Sequence, residues 1–67
     1  MSFDQLLTNR MKENKPIDFL YPGSKKSMFE GRIKHIFQKM EVAKIEFLNS
    51  GEPEVILVPL DNIHIPT

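Results

Sequence analysis

The sequence predicts a mostly β fold, in which one N-terminal α-helix is followed by a five-stranded, strongly bent antiparallel small barrel. Apolar residues recur at helical spacing near the N-terminus, and the period changes to two after Pro16. Turn residues divide the remaining chain into short segments that are typical of strands. Short bent strands in so small a chain favour a barrel, because closure leaves few free sheet edges. We therefore predict a single domain over residues 1–67.

The predicted helix spans residues 3–13. Ser2 is a good N-cap residue, and Gln5 three residues later completes a capping-box pattern. The helix has one apolar face, which is formed by Phe3, Leu6, Leu7 and Met11. The helix ends before Pro16, because the residue that precedes a proline avoids helical geometry.

Five strands are predicted between residues 16 and 66. They span residues 16–21, 28–37, 40–48, 54–58 and 63–66, with a hairpin turn at 49–52 and a tight turn at 59–62. Gly31, inside the second strand, indicates a sharp bend or a close approach of two backbones. Apolar residues change parity in the third strand, which predicts a β-bulge near Val42.

The composition excludes several classes of site. The chain contains no cysteine, so disulfides and thiolate metal sites are excluded. Its two histidines, His35 and His64, do not have the spacing of a zinc site, and no cofactor is predicted. No nucleophile elbow or glycine-rich phosphate loop is present, which predicts that the protein is not an enzyme. The absence of a signal-peptide pattern and of a long apolar run predicts a cytoplasmic protein without a membrane partner.

The charges are balanced in number but uneven in position. Nine basic and nine acidic residues give a formal net charge of zero, unlike a strongly basic nucleic-acid-binding protein. Residues 10–39 hold eight basic and three acidic residues, whereas residues 41–61 hold one basic and five acidic residues. The basic half offers a local surface for a phosphate backbone. A solvated surface of mixed charge explains the same distribution equally well.

Residues 54–66, EVILVPLDNIHIP, are apolar on both faces of the predicted strands. A strand with one dry face alternates apolar and polar residues, so the second apolar face needs a cover. A chain of 67 residues without a disulfide or a metal is close to the lower limit for folding alone, which favours a partner subunit. Six residues form the predicted subunit interface: Val55, Ile56, Leu57, Val58, Ile63 and Ile65.

Residues 6–21, LLTNRMKENKPIDFLY, combine two apolar residues with a basic stretch, a glutamate and a proline that opens an alternating strand. Leu6, Leu7, Glu13 and Pro16 carry this pattern. The arrangement resembles the helix and first strand of the bacterial Hfq branch of the Sm-like family.

A second likeness to the Sm-like family lies in the spacing of its two motifs. Counted from Gly31, the offsets of the first motif fall on Phe37, Met40 and Glu41. The second motif falls on residues 58–63, VPLDNI. The likeness covers nearly the whole chain. It implies the Sm-like fold and a homo-oligomeric ring of about six or seven copies, in which strand four of one subunit pairs with strand five of the next.

The chain departs from the family pattern at the residues that form the uridine pocket. Phe37 replaces the usual acidic residue, and Glu41 replaces the usual asparagine. Pro59 and Leu60 replace the usual Arg-Gly pair. A glutamate repels phosphate and offers a base only hydrogen-bond acceptors. The likeness therefore supports the fold and the ring more strongly than it supports binding of uridine-rich RNA.

The leading functional hypothesis is a ring that binds single-stranded RNA, in RNA metabolism or post-transcriptional regulation. The candidate contacts are Phe37, Gln38, Lys39 and Met40 in one loop, Asp61 and Asn62 in another, and Arg10 and Lys12 on the helix. The alternative is a non-catalytic protein-interaction module that has lost the RNA pocket, like KOW- or Tudor-like barrels. Its support is the zero net charge and the replaced pocket residues.

Overall fold

The computed structural model describes residues 2–23 and 27–65. Its elements are α1 (Phe3–Glu13), β1 (Ile17–Leu20), β2 (Met28–Phe37), β3 (Val42–Asn49), β4 (Glu52–Pro59), a 3-10 turn (Leu60–Asn62) and β5 (Ile63–His64). The five strands form one antiparallel sheet in the order β4-β3-β2-β1-β5. The predicted fold class is confirmed, and the arrangement is consistent with the Sm-like fold. The last residue of the predicted fifth strand, residue 66, lies outside the described residues.

The helix α1 has the predicted bounds. The hydroxyl oxygen of Ser2 accepts a hydrogen bond from the backbone N–H of Gln5 at 3.2 Å, which caps the first turn. Asn14 ends the helix in the left-handed conformation, with φ 55°, because a short polar side chain tolerates that conformation better than most. Leu7 is fully buried, whereas Phe3 at the start of the predicted apolar face is 43% exposed.

The core contains residues from every strand, one residue of α1 and one residue of the 3-10 turn. Its members are Leu7, Ile17, Phe19, Ile33, Ala43, Ile45, Phe47, Val58, Leu60 and Ile63. The rings of Phe19 and Phe47 meet edge to face, with centroids 5.2 Å apart. Within residues 2–23 and 27–65, no polar or charged side chain is fully buried. Apolar burial therefore holds the sheet around this centre.

Gly31 lies at a close approach of β2 to its neighbours, which is one of the two alternatives that the sequence predicts. A Cβ atom at this position would lie 2.7 Å from Cγ2 of Ile45 and 2.8 Å from the backbone oxygen of Glu46. It would also lie 3.1 Å from Cε1 of Phe19. No side chain fits there without movement of backbone, so the glycine permits the close approach.

The predicted bulge near Val42 is wrong. The register of β3 with β4 runs without interruption from Val42 to Asn49, and the irregularity lies in β2 between Ile33 and His35. The third strand begins at Val42 and not at residue 40, because residues 38–41 form the preceding turn. The parity of Met40 in the sequence therefore carries no information about the strand.

The hairpin turn between β3 and β4 is confirmed. Ser50 and Gly51 have φ values of 54° and 84°, as in a two-residue type I′ turn. Asn49 and Glu52 are direct partners across the ladder, so β4 begins right after the turn and is longer than the predicted 54–58.

Replacing Ser50 by asparagine is expected to raise the free energy of unfolding by about 0.5 kcal/mol. Ser50 has a positive φ, and asparagine tolerates this conformation better than serine does. Urea denaturation at constant protein concentration measures the change. The same substitution at Ser27, which is not among the described residues with positive φ, is the matched control. An equal gain at both positions would show that the turn conformation is not the cause.

Candidate functional site

The two turns that carry the loop candidates are in direct contact. The backbone N–H of Leu60 donates a hydrogen bond to the backbone oxygen of Glu41 at 2.9 Å. Glu41 itself has a φ of 56°, and its N–H donates to the backbone oxygen of Gln38. The contact joins the β2–β3 turn to the 3-10 turn that precedes β5.

An open cleft of about 520 Å³ lies beside these two turns. Its lining residues are Phe3, Asp4, Met40, Glu41, Val42, Pro59, Leu60 and Asp61. Three of them carry a carboxylate, and none carries a positive charge. This cleft is called the acidic cleft below. Its carboxylates repel a phosphate group and favour a cationic or apolar group.

The remaining loop candidates lie outside the acidic cleft. Phe37 is half-buried at the end of β2, and its ring centroid is 4.6 Å from that of His35. Asn62 donates a hydrogen bond from Nδ2 to the backbone oxygen of Leu20 at 3.3 Å, which satisfies the end of β1. Gln38 and Lys39 are exposed in the turn. The predicted loop residues therefore do not form one pocket.

The helical candidates are also separate from the acidic cleft. The first turn of α1 lines the cleft through Phe3 and Asp4, whereas Arg10 and Lys12 lie in the last turn. Asp4 and Arg10 are six residues apart and Phe3 and Lys12 are nine apart, which corresponds to roughly 9 Å and 14 Å along the helix axis. Arg10 and Lys12 therefore do not extend the acidic cleft, and a difference of about 200° around the axis places them on different sides of α1.

His35 and Lys44 are surface residues that the sequence analysis did not select. Ile33 belongs to the core, and Phe29 and Ile36 pack against it. The bulge at residue 34 thus exchanges the two faces of β2, and His35 and Phe37 lie on the outer face. A three-residue spacing between Ile33 and Ile36 was the available signal, because a regular strand needs an even spacing.

The predicted interface residues divide into three groups by burial. Val55 and Leu57 are 50% and 49% exposed, so their side chains are free to contact a partner. Ile56 and Ile65 are partly buried against the core. The side chains of Val58 and Ile63 belong to the core of their own chain. The reason is that β4 alternates faces regularly, so one parity must point inward.

The free edge of β4 has a restricted set of hydrogen-bonding groups. The two-residue turn makes Asn49 and Glu52 a hydrogen-bonded pair, and pairs of this kind recur at every second residue. The backbone groups of residues 53, 55, 57 and 59 therefore face away from β3. Pro53 and Pro59 have no N–H, so only Val55 and Leu57 offer a donor at the edge.

The free edge of β5 also offers few hydrogen-bonding groups. The N–H of Tyr21 bonds to the oxygen of Ser27, so by alternation Asp18 faces β5 and pairs with His64. The same alternation directs the backbone groups of Ile63 and Ile65 away from β1. The N–H of Ile63 is already bonded to the oxygen of Leu60. The edge therefore offers the carbonyl of Ile63 and both backbone groups of Ile65.

Comparison with known proteins yields no relative. No protein-family model matches the chain, and no curated protein or solved structure matches it significantly. Among the described residues, no three His, Cys, Asp or Glu side chains are grouped so that they could hold a metal ion. In the same part of the chain, no helix is long and apolar enough to cross a membrane.

Proposed function

We propose that the chain assembles head to tail into a closed ring, through β4 of one copy and β5 of the next, and that the ring binds single-stranded RNA. The observation that carries the proposal is the pair of free edges at the two ends of the sheet. An exposed apolar edge is an aggregation hazard unless a partner strand covers it. A head-to-tail contact that closes on itself covers both edges in every copy. The resemblance to the Sm-like family supports the same assembly.

The hydrogen-bonding groups of the two edges are complementary. In an antiparallel pairing with Leu57 opposite Ile63 of the next copy, the N–H of Leu57 meets a free carbonyl. In the same register Val55 lies opposite Ile65 of the next copy, and the two residues exchange both of their hydrogen bonds. Pro53 and Pro59 then stand at the two ends of the paired segment, where no donor is required. The two prolines therefore limit the pairing to the short segment between them.

Native mass spectrometry of the full chain tests the assembly and the RNA together. We expect one species of about six or seven subunits that carries co-purified nucleotide mass. A protein that stays monomeric at high concentration would contradict the ring. A ring that binds no single-stranded RNA at low salt would contradict the RNA-binding half alone.

Substitution of Lys39 or Lys12 by alanine is expected to weaken RNA binding about two- to fivefold. Both lysines are exposed in the basic half of the chain, and each phosphate contact that is lost lowers the salt slope by about 0.7 for single strands. Fluorescence anisotropy over a series of salt concentrations measures both effects. Lys15→Ala is the control, because Lys15 is paired with Glu13 at 3.1 Å. If Lys15→Ala weakens RNA binding as much as the other two substitutions do, the effect is a nonspecific loss of positive charge.

The second candidate function is a protein-interaction module, and the acidic cleft favours it. Asp4, Glu41 and Asp61 line the cleft at the turns where the resemblance expects an RNA pocket. The absorbance of freshly purified protein discriminates the two functions, since the chain has one tyrosine and no tryptophan. Bound nucleic acid would raise the absorbance at 260 nm above that at 280 nm. An assembled ring without this signal and without RNA affinity favours the protein-interaction module.

A further inference from the structure

The bulge in β2 places two aromatic rings on the outer face of the sheet, next to a lysine. Residues 34 and 35 together oppose Lys44, because Ile33 pairs with Ile45 and His35 pairs with Lys44. Phe37 follows on the same face and pairs with Val42. Without the bulge, His35 and Phe37 would share the parity of Ile33 and face the core. His35, Phe37 and Lys44 are called the outer patch below.

The two rings of the outer patch are in contact with each other. Their centroids lie 4.6 Å apart with an interplanar angle of 67°, so the edge of one ring meets the face of the other. His35 is exposed and Phe37 is half-buried, and neither belongs to the core cluster. An aromatic pair that the core does not require is free to stack on a flat ligand.

The charges around the outer patch favour an anion. Lys34 is paired with Glu46 at 3.6 Å, and these two groups largely cancel. Lys44, within the patch, and Lys39, two residues after Phe37, are exposed and make no ion pair with another described residue. Glu41, in the same turn as Lys39, lines the acidic cleft. The outer patch is therefore positive, whereas the cleft beside the turns is negative.

We infer that the outer patch, and not the acidic cleft, holds a base and an adjacent phosphate of single-stranded RNA. The inference rests on the proposed RNA-binding function and assigns it a location. A base stacks on the rings of Phe37 and His35, and Lys44 contacts the phosphate. Because every base has an aromatic face, the patch binds bases with little sequence preference.

Anisotropy with labelled oligouridylate and oligoadenylate of about 12 nucleotides tests the location. His35→Ala and Phe37→Leu are expected to weaken the binding of both probes about 5- to 100-fold, since each removes a stacking ring. Lys44→Ala is expected to lower the salt slope by about 0.7, while the control Lys15→Ala leaves the slope unchanged. Native mass spectrometry of each variant verifies that its assembly equals that of the wild type.

The outcomes separate the inference from the function on which it rests. Wild-type protein that binds neither probe at low salt would overturn both. Wild-type binding that all three variants retain would overturn the outer patch alone. Photocrosslinking of wild-type protein to 4-thiouridine-labelled RNA supplies a readout that does not depend on any variant's folding. Crosslinks to residues 35–37 support the outer patch, and crosslinks confined to the turns around Met40 and Asp61 contradict it.

Discussion

Replacement of Gly31 by alanine is expected to lower the free energy of unfolding by about 2 kcal/mol, and replacement by valine by more. The added Cβ would lie 2.8 Å from the backbone oxygen of Glu46, which cannot move without distorting β3. The Cγ2 atom of Ile45, at 2.7 Å, belongs to a fully buried side chain and has no space to retreat. For a domain of this size, about 2 kcal/mol is a large fraction of the total stability.

Urea denaturation at one fixed protein concentration measures the Gly31 effect, because the proposed assembly would make stability depend on concentration. Glu30→Ala is the matched control, since it changes an exposed neighbour in the same strand. We expect the control to stay within about 0.5 kcal/mol of the wild type. A similarly small loss for Gly31→Ala would mean that β2 can move away from β3 at low cost.

Replacement of Leu57 by proline is expected to convert the proposed ring to monomers without unfolding the chain. The N–H of Leu57 faces the free edge of β4, so its loss removes no hydrogen bond to β3. The pyrrolidine group of the new proline would occupy the space of the neighbouring subunit's strand. Pro53 and Pro59 already occupy positions of the same parity, which supports tolerance within the chain. Native mass spectrometry reports the number of subunits, and circular dichroism reports the fold.

Two further variants separate the role of the N–H from that of the side chain. Ile56→Pro removes an N–H that faces β3, and this variant is expected to unfold. Leu57→Thr keeps the N–H and shortens the apolar side chain, so it is expected to weaken the ring without abolishing it. If Leu57→Pro forms the same ring as the wild type, the subunits do not pair through this edge.

The local elements were predictable because short-range chemistry specifies them. Ser2 caps α1 and the residues before Pro16 end it, so both helix ends can be read from neighbouring residues. The hairpin at Ser50 and Gly51 requires residues that accept a positive φ. The close approach at Gly31 follows from a glycine inside an otherwise regular strand.

The candidate contacts were only partly predictable. The sequence grouped Phe37 with Met40 because the residues are neighbours in the chain, but one lies on the outer face and the other lines the acidic cleft. His35 was not selected as a candidate contact, because a single histidine on a strand does not by itself indicate a binding site. The burial of Val58 and the exposure of Val55 and Leu57 were not predictable, because an unbroken apolar run does not state which parity faces inward.

The sequence by itself determined the helix, the five strands and the positions of the turns. The tertiary structure alone decided which face each residue of β2 occupies after Ile33, and which backbone groups of β4 and β5 stay free. The physical reason is that one extra residue in a strand reverses every later side chain, and only the pairing with β3 shows where that residue lies. Residues 54–65 are thereby resolved into an inward row that completes the core and an outward row that is open to a partner.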